Sequence, residues 1–259
     1  MARIQLRDTK IFIEDGLSGT AAVNETGLSG GETDIDIDTV ATNSEVLNGT
    51  VYESQTQHVP VGARFTVAGE TGSPIHTVTA INETVANITD NVTFTPALAS
   101  AVADDAVITI LAQQIEVKIG DGDLSWTENR EMLYDLDRTK LDTVRVGDEQ
   151  PLDVELNFVF ESITTESGQA ITPVDAIKRI GEATEWVNSD ADPCAPYAVD
   201  LYVVHCIPCG SEQNQDIRLP DFRYESLDYS IADAAIAVSG RCNATDAITT
   251  RAASFPECS

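Results

Sequence analysis

Positive charge is what this chain most lacks. Its 259 residues carry 15 Lys plus Arg against 43 Asp plus Glu, a formal net charge of -28. Arg64 is the only Lys or Arg between Asp15 and Val117. Phosphate backbones and anionic membrane surfaces are gripped by basic side chains, so this balance argues against nucleic-acid binding and against docking on such membranes. Self-repulsion keeps an acidic surface soluble, and a saline habitat would select the same surface. Long apolar runs are missing too: none approaches the ~18 residues of a bilayer-spanning helix. Met1 leads straight into an amphipathic strand pattern without an apolar leader, so the expectation is a soluble protein made in the cytosol. The six Asn-x-Thr sequons, at Asn24, Asn48, Asn82, Asn87, Asn91 and Asn243, then read as by-products of a Thr-rich β chain.

Histidine is nearly absent, with 3 residues, and G-x-S-x-G, P-loop, G-x-G-x-x-G and H-E-x-x-H motifs are lacking. His58 and His76 are isolated and are assigned no chemistry. His205 and Cys206 are neighbours on a strand pattern and so face opposite sides. Among so many acids, no particular carboxylate pair carries information. The chain is expected not to be an enzyme and to use no metal or cofactor. Cysteine is an odd set of 5. The pair Cys206 and Cys209 precedes Gly210 instead of a helix, which does not suit a thioredoxin-like redox site. Zinc would need Cys242 and Cys258 as a second pair, with His205 as a further ligand. Buried thiols or a disulfide suit the sequence better.

What is present is β pattern. Residues 3–14 read as a first strand, and 15–33 as an aperiodic loop or arm rich in Gly, Ser and Thr. Asp34–Val40 alternates Asp with Ile and reads as a strand rather than a calcium loop, because the Gly and closing Glu of such a loop are missing. Residues 41–112 consist of short Thr- and Val-rich strands separated by Gly, Pro and Asn. They are expected to form an all-β module inserted into a parent domain of residues 1–40 and 113–240. One helix is predicted over residues 172–187, with Thr172 as N-cap, Pro173 at its first position and Asp175 in its first turn. Strands are expected at Ile115–Ile119, Val199–Cys206, Phe222–Ile231 and Ala235–Gly240, followed by a patternless tail over 241–259.

The most informative stretch is 121–162. Leu152, Val154, Leu156, Phe158 and Phe160 alternate with Asp153, Glu155, Asn157 and Glu161, the signature of a strand with one face in a core and an acidic face in water. Before it, residues 127–150 form a long excursion that concentrates cations and apolar groups: Arg130, Met132, Leu133, Tyr134, Leu136, Arg138, Lys140 and Arg145. Arginine and tyrosine beside exposed apolar side chains make an interface. A solvated hairpin is the plain alternative.

The segment DGDLSWTENREMLYDLDRTKLDTVRVGDEQPLDVELNFVFE, the helix region TPVDAIKRIGEATEWVNSDADPCAPYAVDLYVVH and the stretch LPDFRYESLDYSIADAAIAVSGRCNAT resemble tail tube (major tail) proteins of siphovirus-like tailed phages. The resemblance spans residues 1–39 and about 113–245. It implies a β-sandwich or barrel with one flanking helix, and homohexameric rings stacked head to tail into a tube. DNA would pass through the tube without specific binding, along a wall formed by Asp153, Glu155, Asn157 and Glu161. The 127–150 excursion would stack ring on ring, and residues 41–112, which depart from the family pattern, would lie outside the tube. Other tail proteins would meet the tube ends. The protein would be assembled in the host cytoplasm and reside in the virion tail. Two alternatives stand beside this reading: the tube of a contractile or type VI secretion-like system, and a head-decoration or adhesin binding module.

Overall fold

A computed structural model describes residues 8–25, 28–48, 51–54, 57–85, 88–118, 123–137, 140–159, 171–192, 194–207, 213–230, 232–253, 255 and 258. The chain is mainly β, as its patterning predicts. Strands β1 (Thr9–Glu14), β10 (Gln114–Val117), β11 (Leu124–Thr127), β14 (Leu152–Val159), β15 (Val199–His205), β16 (Asn214–Ser230), β17 (Ala235–Cys242) and β18 (Ile248–Ala252) form one antiparallel sheet. Its order is β10-β1-β15-β16-β17-β14-β11, with β18 also paired to β16. Leu152, Val154, Leu156 and Phe158 point to one face, where they meet Ile13, Leu201, Leu219, Phe222 and Val238 around the fully buried Trp186. This is the core that period-2 patterning requires. Helix α1 (Pro173–Lys178) closes it with Ala176 and Ile177.

The N-terminus of α1 is as its sequence predicts. Thr172 Oγ1 accepts from the Asp175 backbone N–H at 3.1 Å, and the Asp175 carboxylate accepts from the Thr172 N–H at 3.2 Å, a reciprocal capping box. The expected extension to residue 187 does not form. Arg179 turns left-handed (φ 53), Gly181 follows at φ 59, and a short 3-10 turn covers Gly181–Ala183. Glycine suits that positive φ. The apolar spacing that suggested a longer helix instead sends Val187 into a second core.

That second core belongs to a closed barrel of β2 (Gly19–Val23), β3 (Asp34–Thr42), β6 (Arg64–Val67), β7 (His76–Asn82), β8 (Asn91–Thr95) and β9 (Val107–Leu111), in the order β2-β3-β8-β7-β6-β9. Beside it, β4 (Glu45–Asn48) and β5 (Val51–Ser54) form a two-stranded ribbon. The strand Asp34–Thr42 thus pairs with β2 and β8 and not with the parent sheet, and part of the 15–33 stretch is a strand rather than a loop. The barrel occupies residues 19–111, a wider span than 41–112. The sequence Gly19-Thr20-Ala21-Ala22-Val23 is too small and too short to show a period, which hid β2.

The barrel is spliced into the β1–β10 hairpin. The last pair of that hairpin is Glu14 opposite Gln114, and the Asp15 N–H donates to the Gln113 carbonyl at 3.1 Å. Entry and exit therefore lie side by side. Asp15 ties them together: Oδ1 accepts from the N–H groups of Leu17 (3.1 Å) and Gln113 (2.7 Å). Its Oδ2 accepts from the Val187 N–H (3.1 Å) and from Gln113 Nε2 (3.2 Å). Burial pushes the Asp15 carboxyl up to about 7 against the pull of these donors. A Cβ on Gly16 would meet the Asn188 carbonyl oxygen at 2.1 Å, so only glycine fits there. Arg64, the lone cation of its stretch, pairs with buried Glu14 at 3.0 Å and donates to the Ala112 carbonyl at 2.8 Å. Glu14 also receives Arg218 at 3.1 Å.

The register fixes directions. Phe222, in the middle of β16, lies opposite Val199 on one side and Cys242 on the other, and Cys242 lies opposite Leu152. From that level β15 and β1 run beside the Asn214 half of β16, and β17 and β14 beside its Ser230 half. The barrel leaves past Glu14 in the direction of Ser230. The excursion leaves past Leu152 in the direction of Asn214. They project oppositely along the strands.

The C-terminal segment is not a patternless tail. Strand β18 pairs with the Asn214–Arg218 part of β16, and Cys258 forms a disulfide with Cys206. Phe255 and Cys258 pack on Phe12, Tyr202 and Val204, covering the sheet face opposite the main core. Of the remaining cysteines, Cys194 is free and exposed, and Cys242 is free and buried, its thiol pushed up to about 12 by burial and then by Asp200 and Asp221. Cys209 lies outside the described residues. The disulfide takes two thiols of the zinc alternative, and among the described residues no His, Cys, Asp and Glu group could hold a metal ion.

Candidate functional site

The excursion is itself β structure. Among the described residues, strands β12 (Arg130–Asp137) and β13 (Lys140–Glu149) pair only with each other. They continue β11 and β14: Thr127 lies opposite Asp153, and Arg130 opposite Glu149. One long hairpin therefore forms the sheet edge at its base and a free arm beyond it. At ~3.3 Å per residue, the arm reaches roughly 25 Å past the sheet. Its base is fastened by Arg130 to Asp246 at 2.5 Å and by the Ala247 N–H donating to Glu128 at 3.1 Å.

Along β12, Met132, Tyr134 and Leu136 recur at every second position, and Met132 and Tyr134 lie opposite Val146 and Val144. These side chains are uncovered: Tyr134 is 62% exposed, Leu136 67% and Val146 73%. On the other face Leu133 is 49% exposed and lies opposite Arg145, whose guanidinium pairs with Asp135. A two-stranded ribbon with an apolar ladder and no third layer is marginal in water by itself. Exposed apolar ladders on otherwise charged surfaces mark contact sites. Val144 and Val146 escaped the sequence reading, although their alternation about Arg145 could have revealed them. Lys140 takes its place opposite Asp137 in the ribbon, and Arg138 lies outside the described residues.

The second predicted surface is the outer face of β14. Asp153 is half-buried, while Glu155 and Asn157 are exposed; Glu161 and Phe160 lie outside the described residues. Beside them on β11 and β17 stand Ser125, Ala237 and Ser239, so the face is low and flat. Its acidity is uneven. Asp153 receives Arg241 Nε at 2.9 Å and Asn129 Nδ2 at 2.9 Å, and Arg241 also lies 3.7 Å from Glu225. Glu155 stands opposite Ser239 and is the exposed negative charge of the strand. Arg241, in the segment expected to be a tail, was missed as the neutralising partner of Asp153.

Elsewhere the barrel buries two histidines. His76 Nδ1 donates to the Pro96 carbonyl at 2.7 Å, and its Nε2 lies 2.8 Å from the Glu70 carboxylate, inside a cage of Phe65 and Phe94. His58 contacts Glu83 at 2.8 Å within the barrel and lies 3.8 Å from Glu185 on the sheet side of the joint. Burial opposes a charged His58 ring, but Glu185 and Glu83 outweigh it and hold its pKa above the ordinary range.

No family model matches the chain, and no curated protein or solved structure matches it.

Proposed function

We propose that the chain is a structural subunit that stacks upon itself into a tube of the phage tail-tube kind. The observation that carries this reading is the arm: a projecting ribbon whose apolar ladder has no cover among the described residues. Such a ladder is stabilised by burial against another copy, at about 25 cal/mol per Å2 of apolar surface removed from water. In this reading homohexameric rings form the repeating layer, and the flat outer face of β14 with Glu155 and Asn157 lines the conduit. Exposed carboxylates there would repel a DNA backbone at short range, over a Debye length of about 8 Å in physiological salt. The barrel, placed at the far side of the sheet from β11, supports a position outside the tube. That bulk makes a close-fitting contractile sheath an awkward neighbour. Proteins of the tube ends would be the other partners.

Negative-stain images of the purified chain test the proposal. Rods or stacked rings are expected for the natural sequence, and separate, still folded particles for Tyr134→Asp combined with Leu136→Asp. Natural protein that remains monomeric at high concentration refutes it.

A further inference from the structure

The barrel and the sheet do not close completely on each other. Between them lies a cleft of about 380 Å3 lined by Val61 and Val78 from the barrel and by Ile171, Glu182, Thr184 and Glu185 from the region around α1. Val61 is 38% exposed, although valine is not a residue that needs water. Glu182 is exposed, and among the described residues it has no ion-pair partner. Glu185 keeps a 47% exposed side chain, and the imidazole of His58 lies 3.8 Å from it. An apolar floor beneath two carboxylates fits an apolar segment that carries a guanidinium.

The arm has that chemistry, and it points away from the cleft of its own subunit. Tyr134, Leu136 and Val144 make one apolar face of the arm, and on its other face Arg145, 72% exposed, stands opposite Leu133 with Asp135 as its partner. The cleft lies at the Ser230 end of the sheet: Lys178 of α1 donates to Tyr229 at 3.1 Å, and the barrel leaves in that direction. The arm leaves toward the Asn214 end. A copy displaced along the strands therefore brings the arm of one subunit to the cleft end of the next. In the strand order, β1 and β14 are four positions apart, about 19 Å at ~4.8 Å per strand. The arm thus enters the cleft of a copy also displaced sideways, a heterologous contact that propagates.

Resting on the self-stacking reading above, we infer that the cleft between the barrel and α1 is the socket for the arm of a second copy of this chain. The socket joins residues from both parts of the subunit, so the barrel takes part in stacking and is more than an external ornament.

A complementation experiment tests this. One variant, Tyr134→Asp with Leu136→Asp, loses the arm and keeps the socket. The other, Val61→Lys with Glu182→Lys, loses the socket and keeps the arm, and both of its changes are at exposed positions. Thermal unfolding of each variant should match the natural chain. Each alone should need at least about tenfold more protein to stack, because like charges meet across the contact. An equimolar mixture should stack at lower concentration than either variant alone, since the natural arm meets the natural socket and the Asp-bearing arm meets the Lys-bearing socket with opposite charge. If the socket variant stacks like the natural chain, or the mixture fails to associate while the natural chain forms rods, the socket is wrong and the tube reading survives. If the natural chain never stacks, both fall together.

Discussion

Replacing Asp15 with Asn should change how stability depends on pH. Asp15 is fully buried at the joint, and burial raises its carboxyl from an ordinary 3.8 to about 7. Between those values the unfolded chain has released the proton and the folded chain still holds it, so folding takes up a proton and stability falls as pH rises. The contribution is present in full below about pH 4 and is lost through about pH 7. At about 1.4 kcal/mol per pH unit, the limit is about 4 kcal/mol, an order-of-magnitude figure. The asparagine variant does not titrate there. Both chains should be unfolded with urea at pH 4.5, 6 and 8, and the difference in stability plotted. The natural chain should have its greatest advantage at pH 4.5 and lose it steadily toward pH 8. The opposing influence is the set of four N–H contacts from Leu17, Gln113 and Val187, all of which favour an ionised carboxylate. A difference that stays flat, or that moves in favour of the natural chain as pH rises, would show that these donors win and that the reasoning from burial is wrong.

Excising residues 17–111 and joining Gly16 to Ala112 through a short Asn-Gly turn should leave a sheet that unfolds cooperatively, at reduced stability because Arg64 and the cover over Val187 are gone; near-ultraviolet circular dichroism during melting checks this. Removing only 41–112 should instead yield aggregated protein, because β2 and β3 lose their barrel partners. Cys258→Ser should lower stability by up to about 4 kcal/mol, the chain-entropy value for a cross-link spanning 52 residues, and the loss should match that caused by reductant in the natural chain when both are measured in urea. Glu155→Lys combined with Asn157→Lys should leave assemblies intact, since exposed positions move stability by only about 0.5 kcal/mol each. DNA retention by those assemblies should appear and weaken steeply with added salt, as a filter-binding titration would record.

Much of the architecture was legible wherever a strand has one wet and one dry face. The β14 alternation, the N-cap of α1 and the strand character of Asp34–Val40 were all local signals. Partner choice was not. Nothing in the Asp-Ile alternation says which sheet it joins, because period 2 encodes a face and not a neighbour. The arm was recognisable by composition, but its continuity with β11 and β14 depends on cross-strand register between residues far apart in sequence. The helix was overextended because Val187 keeps helical spacing while serving the barrel core. The role of Arg64 was foreshadowed by its isolation, yet its partners Glu14 and the Ala112 carbonyl could be identified only once the two ends of the barrel were adjacent.

The placement of the barrel inside the β1–β10 hairpin also sets an order of events during folding. Asp15 and Gln113 are 98 residues apart in sequence, so zipping β1 to β10 in an otherwise unfolded chain means closing a very long loop. A barrel that has already folded holds its own ends together and reduces that loop to a few residues. At about 0.6 kcal/mol per doubling of length, four doublings save about 2.4 kcal/mol of closure entropy. The edge of the sheet is therefore templated by a neighbour that shares none of its strands. Substitutions that delay the barrel, such as at Phe65 or Phe94 in its core, should slow the appearance of β1–β10 protection in pulsed hydrogen exchange and leave the β14–β17 pairing on its own clock.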